Sequence, residues 1–149
     1  MKKNLFFFIL FFLSITSLNA ETKRIISGND DARITIIAYE SLTCSHCANF
    51  HTDVYPLLKK DYIDTGLAKI EFRHFPLDMA ALNASKIAQC KENQSLEILE
   101  SLYSNQQSWV KGNSIEEYNN NLKKFLKEEG FILDFEKCIN NKKIEDFVL

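Results

Sequence analysis

Two cysteines two residues apart, Cys44 and Cys47 in Thr43-Cys44-Ser45-His46-Cys47, are the residues of this sequence best suited to covalent chemistry. At that spacing the thiols stand one helical turn apart and can close a small disulfide ring and open it again. A cysteine at a helix N-terminus meets unpaired backbone N–H groups and the positive end of the dipole, both of which favour the thiolate. His46, between the pair, can add a positive charge or a donor. Each pKa unit of lowering reflects about 1.4 kcal/mol in favour of the thiolate. A stabilised thiolate stabilises the reduced form, so the disulfide becomes the stronger oxidant.

Two other chemistries use the same residues. Cys44, Cys47 and His51, with His46 or His74 as a fourth group, could hold zinc or copper, although no second Cys-x-x-Cys and no His-x-x-x-His closes a tetrahedral set. The pair could also be purely structural. Haem attachment needs a histidine directly after Cys47, where Ala48 stands.

The elements around the pair suit redox chemistry. Residues 33–39, Arg-Ile-Thr-Ile-Ile-Ala-Tyr, read as a strand buried on both faces. From Cys47 the spacing turns helical, with Phe50, Val54, Leu57 and Leu58 on one face and Pro56 as a kink. Gly66 marks a turn, and a second strand spans residues 68–75 before Pro76. Strand, helix, strand at this length makes a βαβ unit with parallel neighbours. The rest reads as helix. Asp78 caps a helix running to about Lys91, and Leu96, Leu99, Leu102 and Tyr103 form the next apolar face. Ser114 with Glu117 forms a capping box, Gly130 ends that helix, and Asp134 opens a last one. Two strands with so many helices leave an open, apolar sheet edge.

The run from Ile36 to His51, Ile-Ile-Ala-Tyr-Glu-Ser-Leu-Thr-Cys-Ser-His-Cys-Ala-Asn-Phe-His, resembles the DsbA-like thiol–disulfide oxidoreductases of the thioredoxin-fold superfamily. So do Tyr62-Ile-Asp-Thr-Gly66 and Phe72-Arg-His-Phe-Pro-Leu-Asp78 followed by an Ala-rich helix and Cys90. The resemblance implies an α/β fold with a thioredoxin-like βαβ core over residues 21–77 and a helical insertion over 78–149. It implies Cys44 as nucleophile and Cys47 as its partner, without a cofactor. It also implies reduced or unfolded exported proteins as clients, and a membrane redox partner that reoxidises the pair in the periplasm. Three features depart from the family pattern. Pro56 and Pro76 lack the context of the family's cis-proline strand, so the C-terminal strands and helix of the fold are expected to be missing from a truncated domain. Ala38 stands where many relatives carry a buried glutamate, with Glu40 nearby reading as a loop charge. Ser45 occupies a position that tunes the potential, so the oxidant that the resemblance implies keeps a reductase or isomerase with the same site, and an inactive fragment, as alternatives.

Composition sets the compartment. Lys2 and Lys3 precede an unbroken apolar run from Leu5 to Leu13, then polar Ser14, Thr16 and Ser17 and a cleavage point at Ala20. That pattern reads as a signal peptide over residues 1–20, with an uncleaved membrane anchor as the alternative because Leu18 stands where a small residue is preferred. The chain carries 18 Lys+Arg against 20 Asp+Glu, and without Lys2 and Lys3 the mature balance is net −4, which argues against nucleic acid as a partner. Export places Cys90 and Cys138 where disulfides persist, so they are expected to form a structural pair, the alternative being two separate buried thiols. Of the remaining histidines, His51, about one turn after Cys47, could tune the site but is expected rather to be packed or on the surface, and His74 is expected to be structural.

Overall fold

The computed structural model describes residues 22–149, so the signal segment expected over residues 1–20 lies outside the described residues. β2 (Ile34–Glu40) and β3 (Ala68–His74) run parallel with Ile36 opposite Ile70 and Glu40 opposite His74. A three-residue strand the sequence does not announce, β1 (Ile25–Ser27), pairs antiparallel with β3, Ile25 opposite Phe72. The order is therefore β1-β3-β2, with β3 in the centre. Burial of β2 on both faces is corrected: it is an edge strand, and Ile34, Ile37 and Tyr39 are about half exposed or more. A continuous β-branched run makes a strand, but whether its second face is covered depends on residues elsewhere.

Between β2 and β3 the helical crossover is not one regular α-helix. α1 (Ser45–Asn49) passes into a π-helical turn over Phe50–Val54, then α2 (Tyr55–Leu58) and a second π turn over Lys59–Ile63. The first wide turn ends two residues before Pro56: the Tyr55 N–H reaches back to the Phe50 carbonyl, and the proline is the second residue of α2. Each π turn admits an extra residue and rotates the helix face beyond it by about 100°. That rotation overturns part of the expected apolar face. Val54 and Leu57 are exposed, while Ala48, His51 and Tyr55 face the sheet with Leu58 partly covered.

The core lies where this face meets Ile25, Ile70 and Phe72 of the sheet and Ile98, Leu99, Leu102 and Tyr103 of α4 (Ser95–Ser104). α3 (Met79–Cys90) begins at Asp78, whose Oδ1 accepts the Ala81 N–H at 2.7 Å. Its alanines at 80, 81, 84 and 88 are small enough to let helices approach on several sides. α4, α6 (Ile115–Glu128), α7 (Phe135–Ile139) and α8 (Lys142–Val148) all pack on it. A short α5 (Gln106–Trp109) joins α4 to α6, with the Trp109 Nε1 donating to the Leu102 carbonyl. Cys90 of α3 and Cys138 of α7 are joined in a disulfide, Cα atoms 5.5 Å apart. Among the described residues no helix is long and apolar enough to cross a membrane.

Candidate active site

The cysteine pair stands at the C-terminal end of the parallel strands, where β2 gives way to α1. Cys44 is the N-cap residue of α1 in extended conformation (φ −80°, ψ 118°), its N–H donating to the Ser41 carbonyl at 3.0 Å and its carbonyl accepting from the Ala48 N–H at 3.1 Å. Cys47 is one turn further in, and both are free, partly covered thiols. The preceding loop is anchored by fully buried Leu42. It is also held by the Thr43 hydroxyl, which donates to Asp78 Oδ2 at 2.7 Å, and by Ser41 Oγ, which accepts the Leu77 N–H.

The two sulfurs meet opposite electrostatics. Cys44 is lowered from the ordinary thiol value, first by the Cys47 thiol hydrogen-bonded to its sulfur, then by the Cys47 and His46 backbone N–H groups, against the opposing effects of burial and the Glu40 charge. Cys47 is pushed up to about 11, chiefly by burial, with Cys44 and Glu40 adding to the rise. The helix N-terminus and Cys47 thus favour the thiolate at the outer cysteine, whereas burial favours the thiol at the inner one. His46 is exposed, and it is its backbone N–H that favours the Cys44 thiolate.

Beneath the pair lies a cluster whose assembly sequence reading missed, although His51 and, more weakly, Glu40 read as residues that could tune the thiols. Glu40 is not a loop charge: it ends β2, is 8 % exposed and bonds His51 Nε2 through Oε2 at 2.7 Å. His51 is itself buried, stacked on the Tyr103 ring with centroids 4.0 Å apart, and its Nδ1 has no hydrogen-bond partner among the described residues. Burial, followed by the charges of Glu40 and both cysteines, raises Tyr103 far above the usual phenol value, so it stays protonated. His51 lies four residues after Cys47 and therefore on the same helix side. That spacing, with a glutamate ending the strand, was the only signal available in the sequence.

His51 turned toward Glu40 does not join the cysteines in a metal set, and no group of three His, Cys, Asp or Glu able to hold a metal occurs among the described residues. His74 packs at the end of β3, where burial pushes it down to about 4, leaving it neutral near pH 7. Gln106 of α5, also missed, donates from Nε2 to the Leu42 and Cys44 carbonyls at 2.9 and 3.0 Å.

The family model described as Thioredoxin matches residues 20–149. This chain belongs to the thioredoxin family. Its DsbA-like character shows in solved relatives: alpha-DsbA1 of Wolbachia pipientis is 34% identical and superposes with a TM-score of 0.73, covering 88% of this chain and 66% of that one. BdbD of Bacillus subtilis, at 20% identity, TM-score 0.63 and coverage of 83% and 68%, shares the fold. A Rickettsia bellii protein provisionally named a protein-disulfide oxidoreductase is 30% identical over 128 residues, covering 83% of this chain and 48% of the relative. The thioredoxin-family chain described here thus spans less than half the length of that curated relative, and 66% of the Wolbachia structure.

Proposed function

We propose that this protein is an exported thiol–disulfide oxidoreductase that exchanges disulfides with protein thiols through Cys44 and Cys47, working as an oxidant. The observation that carries the proposal is the split between the two sulfurs, a lowered Cys44 at the N-terminus of α1 beside a Cys47 raised to about 11. A stable thiolate on the reduced side favours giving the disulfide away. The relatives named for disulfide oxidoreduction and disulfide bond formation support the same reading.

In the oxidising direction a client thiolate attacks the Cys44 sulfur of the Cys44–Cys47 disulfide. The S–S bond breaks, and Cys47 leaves as a thiolate and takes up a proton. A second client thiolate attacks the client sulfur of the mixed disulfide, leaving the client oxidised by two electrons and Cys44 as a thiolate. The reverse order runs a reductase or isomerase. Glu40, whose charge acts on both sulfurs, and its buried partner His51 are acid–base groups for the proton that Cys47 gains and loses. Clients are reduced exported proteins, taken beside an apolar groove that includes Met79, Val110, Ile115 and Tyr118 and begins at Thr43. The residue 1–20 pattern supports an exported, periplasmic protein whose pair is reoxidised by a membrane redox partner.

Mass spectrometry after thiol trapping tests the proposal. Incubation of the reduced chain with oxidised glutathione is expected to give a Cys44–glutathione adduct, then a Cys44–Cys47 disulfide. Two thiols that form no adduct sink the reading. The equilibrium with a glutathione buffer then gives the potential, and one near the reducing thioredoxins would assign a reductase instead.

A further inference from the structure

α5 is four residues long and belongs to the helical part of the chain, yet its first residue reaches the cysteine loop. Gln106 is 8 % exposed, and its Nε2 carries two donors. Both are spent on one stretch of main chain, the Leu42 and Cys44 carbonyls at 2.9 and 3.0 Å. Two carbonyl oxygens that converge on one point repel each other unless a donor sits between them. With Leu42 fully buried, the loop cannot turn both oxygens to water without leaving its core seat.

The Cys44 carbonyl and the Ser45 N–H belong to one planar peptide. Holding that oxygen therefore fixes how the chain enters α1, and so where the following amides of His46 and Cys47 point. Those two amides act on the Cys44 sulfur. The Ala48 N–H also bonds the Cys44 carbonyl from within α1, but of the ties from outside that helix, Thr43 to Asp78 and Leu77 to Ser41 do not touch the Cys44 peptide.

We propose that Gln106 is a positioning residue for the nucleophile: by pinning the Leu42 and Cys44 carbonyls it holds the peptide that aims the first amides of α1 at the Cys44 sulfur. The helical part is then a component of the thiol site, not a cover beside it. The inference rests on the proposed function only in taking Cys44 as the reactive sulfur. The titratable groups that bear on Cys44 are Cys47 of its own helix, Glu40 of β2 and Tyr103 of α4, and a change at Gln106 leaves all three in place.

The test is the pH dependence of Cys44 alkylation by iodoacetamide in the reduced full chain, followed by peptide mass spectrometry and paired with thermal unfolding. Gln106→Met keeps the length of the arm without its donors. Its Cys44 midpoint is expected to rise by up to about one unit, so the rate near pH 7 falls several-fold, one unit being tenfold in thiolate fraction. Gln106→Asn keeps the amide on an arm too short to span both carbonyls and is expected to give a smaller rise in the same direction with less disturbance of packing. An unchanged midpoint in both Gln106 variants, whatever their melting temperatures, overturns the inference. Alkylation needs no disulfide partner, so a shifted midpoint supports Gln106 even if the wild-type chain forms no glutathione adduct, a result that would overturn the proposed function alone.

Discussion

Cys44 and Cys47 differ in protonation because one caps a helix and the other is tucked behind it. Cys47→Ser is expected to accumulate the Cys44–glutathione adduct, and Cys44→Ser to form none, as read by intact mass. The pH dependence of stability follows from the inner thiol. Cys47 rises from the ordinary value of 9.0 to about 11 in the folded reduced chain, so its contribution is full below pH 9 and is lost as the pH climbs through about 11. Cys44, depressed, contributes above its unfolded value and loses that as the pH falls through its folded one. The reduced chain should therefore lose stability relative to the oxidised chain between about pH 9 and 11, because only the reduced chain carries the Cys47 thiol. Denaturant midpoints of the two forms across that range check this. Glu40→Gln keeps the shape of the His51 contact but removes a charge that acts on both thiols. It is expected to lower the Cys47 titration, read as a shift of the pH dependence of ring closure from the adduct toward lower pH in quenched-flow trapping.

At the scale of elements, turns and caps decide what the apolar pattern alone could not. Asp78 both caps α3 through Oδ1 and holds Thr43 through Oδ2, so one carboxylate joins the helical part to the cysteine loop. Asp78→Ala is expected to cost about 1–2 kcal/mol in chemical denaturation, the range for a lost N-cap. Gly28 follows β1 with φ +112°, and a Cβ there would lie 2.9 Å from Ile63 Cγ2 and 3.0 Å from the Lys69 Cα. Gly28→Ala is therefore expected to destabilise by about 1–3 kcal/mol, from backbone strain plus contact, measured the same way. The caps at Asp78, Ser114 and Asp134 are where the sequence placed them, because a capping side chain reaches only its own first turn. The inward face beyond Phe50 was not legible, since π turns shift the register and nothing in a 3.6-residue pattern signals them.

Across the whole molecule, helix packing around α3 is reinforced by two long-range ties. Buried Lys86 pairs with Glu145 of α8 at 2.7 Å, and the disulfide links Cys90 to Cys138. Closing 48 residues reduces the freedom of the unfolded chain by about 4 kcal/mol in the chain-entropy view. Cys90→Ala with Cys138→Ala is expected to lower the unfolding free energy by up to that amount while leaving glutathione adduct formation at Cys44 intact. Calorimetry and the trapping assay read the two effects separately.

By itself the sequence determined the local chemistry: a Cys-x-x-Cys between a β-branched strand and a helix, a βαβ core, an Ala-rich helix and its caps. Each depends on residues within a turn or two of one another, and periodicity and spacing report such relations directly. Only the tertiary structure decided which strand is central, because pairing of the three-residue β1 with β3 joins residues some 43 to 47 apart. It alone turned Glu40 from a loop charge into the buried partner of His51, and carried Gln106 across 62 residues to the Cys44 carbonyl. Long-range placement is set by how whole faces pack, and no local pattern around Cys44 encodes it.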